Sequence, residues 1–149
     1  MKVNTYADTS FIIPLFIKED TSCSAILEIA DRLTEPIPLI FLNSVEWVAA
    51  INARLYRKEI TCAIHDAAFA KFREYLQQGV FVRLPIDLER LRERAETLSN
   101  RHTPLNGSRT LDLLHVAAAQ LLGCRRFLAF DQRQLATAKA EGLDTAPAA

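Results

Sequence analysis

The sequence predicts an α/β domain in which helices cover both faces of a parallel sheet. Three observations carry this reading. Strand-like and helix-like segments alternate along the whole chain. The strand-like segments are short and continuously apolar, as a sheet buried on both faces requires. Gly79, Gly123 and Gly142, three of the four glycines, each stand where a helix gives way to a strand, the position at which a left-handed cap favours glycine.

Taken in order, Lys2–Ala7 reads as a β-prone run ending at Asp8. Asp20–Leu33 has helical spacing, with Cys23, Ile26, Leu27, Ala30 and Leu33 on one face, until Pro36 and Pro38 break it. Leu39–Leu42 is an apolar strand. Asn43–Lys58 is a helix, with Asn43 or Ser44 available as its cap. A helix over Cys62–Gln78 precedes Gly79 and the strand Val80–Leu84. Pro85 ends that strand, and Asp87 caps the helix Leu88–Ser99. Asn100–Ser108 reads as a polar loop with Pro104 and Gly107. The helix Arg109–Leu122, the strand Arg126–Phe130, the helix Gln132–Glu141 and a last short strand Leu143–Ala146 complete the chain.

A chain of 149 residues, half of them apolar, is expected to form a single domain over residues 1–149 with a real core. Its 18 basic and 18 acidic groups sum to zero, which argues against a surface coated for polyanions. The zero is a balance of unequal halves. Residues 1–50 hold three basic and seven acidic groups, and residues 51–149 hold 15 and 11. No stretch approaches the roughly 18 apolar residues of a membrane helix. The N-terminus has no signal-peptide pattern, because Asp8 precedes the apolar run and Lys18-Glu19-Asp20 closes it. Cys23, Cys62 and Cys124 are odd in number and far apart in apolar helical contexts. They read as buried free thiols in a reducing cytoplasm.

Scarce glycine excludes several chemistries. The chain has no Gly-rich phosphate loop, no dinucleotide fingerprint and no nucleophile elbow. His65, His102 and His115 are too scattered for a familiar zinc spacing.

Four carboxylates stand in unusual places. Asp8 follows the first strand, at the edge where open α/β sheets bind ligands. Glu46 lies in Ser44-Val45-Glu46-Trp47-Val48-Ala49-Ala50-Ile51, with no basic residue at its helical neighbours. Asp112 opens the apolar helix Leu111-Asp112-Leu113-Leu114-His115-Val116-Ala117. Asp131 ends the strand Phe127-Leu128-Ala129-Phe130. Each also has an ordinary reading: Asp8 and Asp131 as helix caps, the latter in a capping box with Gln134, and Glu46 and Asp112 as first-turn acids. If the first and fourth strands are neighbours, the four converge. Converging carboxylates repel unless a cation neutralises them, and an all-oxygen set selects Mg²⁺ or Mn²⁺. Such an ion lowers the pKa of a water and steadies charge on a phosphate.

On these motifs the chain resembles a PIN domain of the VapC-like type, the toxin half of type II toxin–antitoxin pairs. The resemblance rests on Asp8-Thr9-Ser10, Glu46, Leu111–Ala117 and Phe127–Asp131, in that order, and covers Val3 to about Leu143. It implies a three-layer α/β/α fold with a five-stranded parallel sheet of order 3-2-1-4-5. It implies Mg²⁺- or Mn²⁺-dependent endoribonuclease action leaving 5′-phosphate and 3′-hydroxyl ends. Asp8, Glu46, Asp112 and Asp131 then match the catalytic and metal-binding acids, and Ser10 matches a small polar residue beside them. A homodimer and a cognate antitoxin that covers the site are implied as well. The family often has Thr or Ser where this chain has Ala129, which makes Asp131 the least secure of the four.

Arg101, His102 and Arg109 lie in the expected loop that leads into the Asp112 helix, where they are expected to touch RNA phosphates. His115 reads first as a core histidine on an apolar helix, and second as a general acid or a donor beside the site. Trp47, Tyr56, Phe69 and Phe72 have spacings of a core or a dimer surface. A haloacid-dehalogenase-like phosphatase is the other enzyme that places Asp after the first strand, but it wants a second Asp where this chain has Ser10. A PIN-like RNA-binding or regulatory module without catalysis is the non-enzyme alternative.

Overall fold

The structure, a computed structural model, describes residues 2–18 and 32–147. Five strands alternate with helices in it: β1 (Thr5–Ala7), α1 (Thr9–Ile12), a 3₁₀ turn (Ile13–Leu15), β2 (Ile37–Leu39), α2 (Phe41–Tyr56), α3 (Cys62–Gln77), β3 (Phe81–Arg83), α4 (Leu88–Asn106), α5 (Thr110–Leu121), β4 (Arg126–Leu128), α6 (Gln132–Ala140) and β5 (Asp144–Ala146). The helix expected over Asp20–Leu33 lies almost wholly outside the described residues, as does Cys23.

Side chains alternate across the strands and feed two cores, one on each face. Tyr6 and Phe127 enter the core shared with α4, α5 and α6. Their neighbours Ala7 and Leu128 enter the other, with Phe11, Trp47, Ile51, Phe72 and Phe81. Trp47 and Phe72 stack with ring centres 4.3 Å apart. Tyr56, grouped with them in the sequence, is exposed instead.

All pairings are parallel, but the five strands do not form one ladder. Hydrogen bonds join β1-β4-β5 into a three-stranded sheet and β2-β3 into a two-stranded one. The expected continuous sheet of order 3-2-1-4-5 is corrected on this point. The break lies between β1 and β2, which run side by side. Its cause is local. Ile37 N–H and Leu39 C=O bond to β3, so the alternating backbone turns the Pro38 nitrogen toward β1, and proline has no donor to offer. At the next ladder position, Ile40 N–H is taken by Asn43 Oδ1 at 3.0 Å, and Asn43 Nδ2 donates to Ala7 O at 3.2 Å. The Asn43 amide thus stands between two backbone groups that a continuous ladder would join directly. Neither Asn43 nor Ser44, the two residues offered as caps, precedes the helix: α2 begins at Phe41 after Ile40, and Asn43 in its first turn accepts from Ile40 N–H as the third residue of a capping box does.

The region 100–108 is a second correction. It continues α4 to Asn106, with Pro104 inside the helix and Gly107 at φ +68° closing it. Leu91, Leu98 and His102 are the buried residues of this helix, and they share one face. Cys124 is buried as expected, but Cys62 is exposed. Cys62 is the first residue of α3, just after its cap Thr61. No helix among the described residues is long and apolar enough to cross a membrane.

Candidate active site

The β1–β4 pairing brings the C-terminal ends of two strands together. Asp8 N–H bonds to Leu128 O at 2.8 Å, so the chain leaves β1 beside the end of β4. A cleft of about 810 Å³ opens there. Asp8, Glu46, Asp112 and Asp131 all line it, with Ser10, Arg109 and Gln134. Four acids from four different segments therefore meet at one edge.

Each acid has defined partners. Asp8 is buried and caps α1, accepting from Ser10 N at 3.2 Å and from the Ser10 hydroxyl. Asp131 caps α6, accepting from Gln134 N at 3.0 Å. The expected capping box is only half formed, because the Gln134 side chain turns into the cleft. Its Nε2 lies 3.4 Å from both Asp8 Oδ1 and Asp112 O. Asp112 sits in the first turn of α5, where the helix dipole favours it. Arg109 bridges two of the acids, with Nε 3.3 Å from Asp112 Oδ2 and Nη2 3.9 Å from Asp131 Oδ2.

Glu46 accepts from Thr9 Oγ1 at 3.3 Å and makes a close contact with His115 Nε2. The same His115 nitrogen lies 3.4 Å from Asp8 Oδ1. His115 is fully buried. Burial opposes its protonation, but the Glu46 hydrogen bond and the charges of Asp8, Glu46 and Asp112 outweigh burial and hold its pKa above the ordinary histidine value. Behind it, Tyr6 Oη lies 2.6 Å from His115 Nδ1 and 3.1 Å from Asn43 Oδ1. Burial, then the Asp8 charge, keeps the Tyr6 hydroxyl protonated well beyond its ordinary range.

The acids thus face two basic side chains: Arg109 on the rim and His115 beneath. Among the described residues no group of three or more His, Cys, Asp or Glu side chains stands ready to hold an ion as placed. The donor chemistry nevertheless fits a hard divalent ion, being carboxylate oxygen with a hydroxyl beside it and no thiolate.

The other two groups expected to meet RNA are elsewhere. Arg101 Nη1 pairs with Glu141 Oε1 at 2.6 Å, and the buried His102 Nε2 meets the same oxygen at 2.6 Å. Extension of α4 through this region turns both toward α6 and away from the cleft. Burial raises the Glu141 pKa, but bonds from His102, Arg101 and Gln120 more than offset it and leave the carboxyl below its ordinary value. Sequence reasoning missed Tyr6, Thr9 and Asn43, and it assigned Gln134 to a cap. The signal that was available is chemical: a buried-strand tyrosine and a helix-start asparagine each need a polar partner.

A sequence model of the PIN domain family matches residues 5–140. Two solved structures share the fold. The first is VapC20 of Mycobacterium tuberculosis, a toxin that cleaves the sarcin-ricin loop. It is 20% identical, with 94% of this chain and 96% of that one covered, at a TM-score of 0.67. The second is FitAcB of Neisseria gonorrhoeae, 15% identical over 95% of each chain, at a TM-score of 0.66. No curated protein matches the sequence.

Proposed function

The chain belongs to the PIN domain family, and from that premise we propose that it is a Mg²⁺- or Mn²⁺-dependent endoribonuclease, the toxin of a type II toxin–antitoxin pair. One observation carries the reading: Asp8, Glu46, Asp112 and Asp131, four acids far apart in sequence, line one cleft at the ends of two adjacent parallel strands. Ordinary capping explains two of them singly. It does not explain why all four share a cleft.

In this reading Asp8, Glu46, Asp112 and Asp131 would together hold the ion. The ion would supply a water of lowered pKa and positive charge against the phosphate oxygens. The chain's own residues do the rest. Ser10, through its N–H and hydroxyl, fixes the Asp8 carboxylate. Gln134 ties Asp8 to the first turn of α5. Arg109, exposed between two acids, is the residue available to meet an RNA phosphate at the rim.

Exposed apolar groups at the cleft and beyond it suit a protein partner. Leu111 lines the cleft and is exposed, and Phe41, Val45 and Val48 of α2 are exposed apolar groups. A cognate antitoxin and a second copy of the chain are both partners of this kind, acting in the cytoplasm. That VapC20 is a toxin supports the antitoxin assignment.

The test is cleavage of a structured RNA by the purified chain with Mg²⁺ or Mn²⁺, with EDTA, and with Asp8→Asn. The reading expects cuts with 5′-phosphate ends that need the ion and vanish in the variant. RNA binding without any cleavage assigns the chain instead to the non-catalytic module.

A further inference from the structure

The break in the sheet and the Glu46 carboxylate are joined by a buried chain of hydrogen bonds whose polarity the backbone dictates. The chain starts at two groups that have no choice of role. Ile40 N–H can only donate, and Ala7 C=O can only accept. They lie on either side of the Asn43 amide, at 3.0 Å from Oδ1 and 3.2 Å from Nδ2. This settles which end of the amide is oxygen. Asn43 Oδ1 is then an acceptor, so the Tyr6 hydroxyl at 3.1 Å must donate its proton to it. The Tyr6 oxygen, its proton committed, is left to accept. His115 Nδ1 at 2.6 Å must therefore carry a hydrogen and donate it. Nε2 is the ring nitrogen presented to Glu46 Oε1, and because a carboxylate oxygen only accepts, Nε2 is the donor in that bond. Thr9 Oγ1 donates to that same oxygen. Both bonds are thus made through Oε1, which leaves Oε2 as the oxygen for the cleft.

We propose that the Asn43–Tyr6–His115 chain is a positioning device for Glu46, registering that carboxylate to the seam between β1 and β2. The proposal rests on the reading of Glu46 as part of the metal site. Its members are buried: Asn43, Tyr6 and His115 are 1%, 0% and 0% exposed. They come from α2, β1 and α5, so three elements must be in place before Glu46 is aimed. Tyr6 is further locked by parallel stacking on Phe127, with centres 5.8 Å apart. Side chains that support a metal-binding carboxylate from behind are commonly worth about 10- to 100-fold in metal affinity or rate.

The experiment has two arms, both on the full chain. The first is ¹⁵N NMR of the histidine rings in wild type, with His115→Gln assigning the His115 signals among the three histidines. The chain of bonds requires a proton on His115 Nδ1, sheltered from exchange. A His115 Nδ1 without a proton overturns the proposal. The second arm is Tyr6→Phe, which keeps the ring and deletes only the oxygen. Mn²⁺ affinity is expected to fall about tenfold or more, and kcat for RNA cleavage by a similar factor with KM unchanged. The protected Nδ1 proton should be lost to exchange. A folded Tyr6→Phe with Mn²⁺ affinity and kcat within about twofold of wild type overturns positioning, since supporting partners are worth more than that. Should that variant not fold, the wild-type nitrogen spectrum decides alone. A wild type that neither binds Mn²⁺ nor cuts RNA is a different failure. It overturns the metal-site reading, and the positioning role with it, whatever tautomer His115 shows.

Discussion

Replacing Asn43 with alanine should cost the protein a large share of its stability, and the structure gives the size. Three bonds end at this one side chain: from Ile40 N–H at 3.0 Å, from Tyr6 O–H at 3.1 Å, and to Ala7 O at 3.2 Å. All three partners are in the fully buried seam. Alanine leaves a backbone donor and a backbone acceptor with no replacement, each costing about 1–3 kcal/mol. The Tyr6 oxygen still accepts from His115 Nδ1, but its own proton loses its acceptor, which adds a smaller amount. The lost side-chain volume adds a cavity term. The sum is about 3–5 kcal/mol, against a total stability for such domains of about 5–15 kcal/mol. Urea unfolding followed by Trp47 fluorescence measures it directly. Trp47 is the only tryptophan, and it is buried against Phe72. At an m-value of about 2 kcal/mol per molar, the midpoint should fall by about 2 M without a change in slope. A fall of less than about 0.5 M would refute the claim that Asn43 bridges the two strands, because an unsatisfied backbone pair cannot cost so little.

Other outcomes follow from the same geometry. Asp8→Asn should retain native stability in the same urea assay, since asparagine caps α1 as well as aspartate does, while Mn²⁺ binding disappears. Arg109→Ala should weaken RNA binding and lower the slope of log affinity against log salt by about one. Arg101→Ala should leave RNA affinity untouched, because its guanidinium is committed to Glu141. Because the Glu141 carboxyl is held below its ordinary pKa, its contribution to stability is complete above the ordinary carboxylate value. That contribution is lost as pH falls through the lowered one. Wild type should therefore lose more stability than Glu141→Gln between about pH 5 and about pH 3, read by thermal melts.

The fold class and the acidic edge were legible because they depend on local pattern. Apolar strands between periodic helices need a covered sheet, and an acid among apolar neighbours, as Glu46 is, asks for a partner. What escaped depends on distant pairs. Tyr6 and Asn43 are 37 residues apart, His115 and Glu46 are 69, and Tyr6 and His115 are 109. No spacing rule reaches that far. The sheet break was invisible for a related reason: Pro38 is harmless in a strand until its bare nitrogen faces a neighbour. The error over residues 100–108 was one of weighting. Pro104, Asn100 and Gly107 read as loop residues, yet the face formed by Leu91, Leu98 and His102 continues through them, and burial of that face outweighs propensity. Arg101 was carried away from the cleft by the same extension.

The four carboxylates are proposed as a binding site for a hard divalent ion. Titration of the full chain with Mn²⁺, followed by electron paramagnetic resonance, tests it most directly. Saturable binding is expected in wild type and its loss in Asp8→Asn and Asp112→Asn, with both variants folded by Trp47 fluorescence. Absence of saturable binding in wild type, or binding unchanged in both variants, would contradict it.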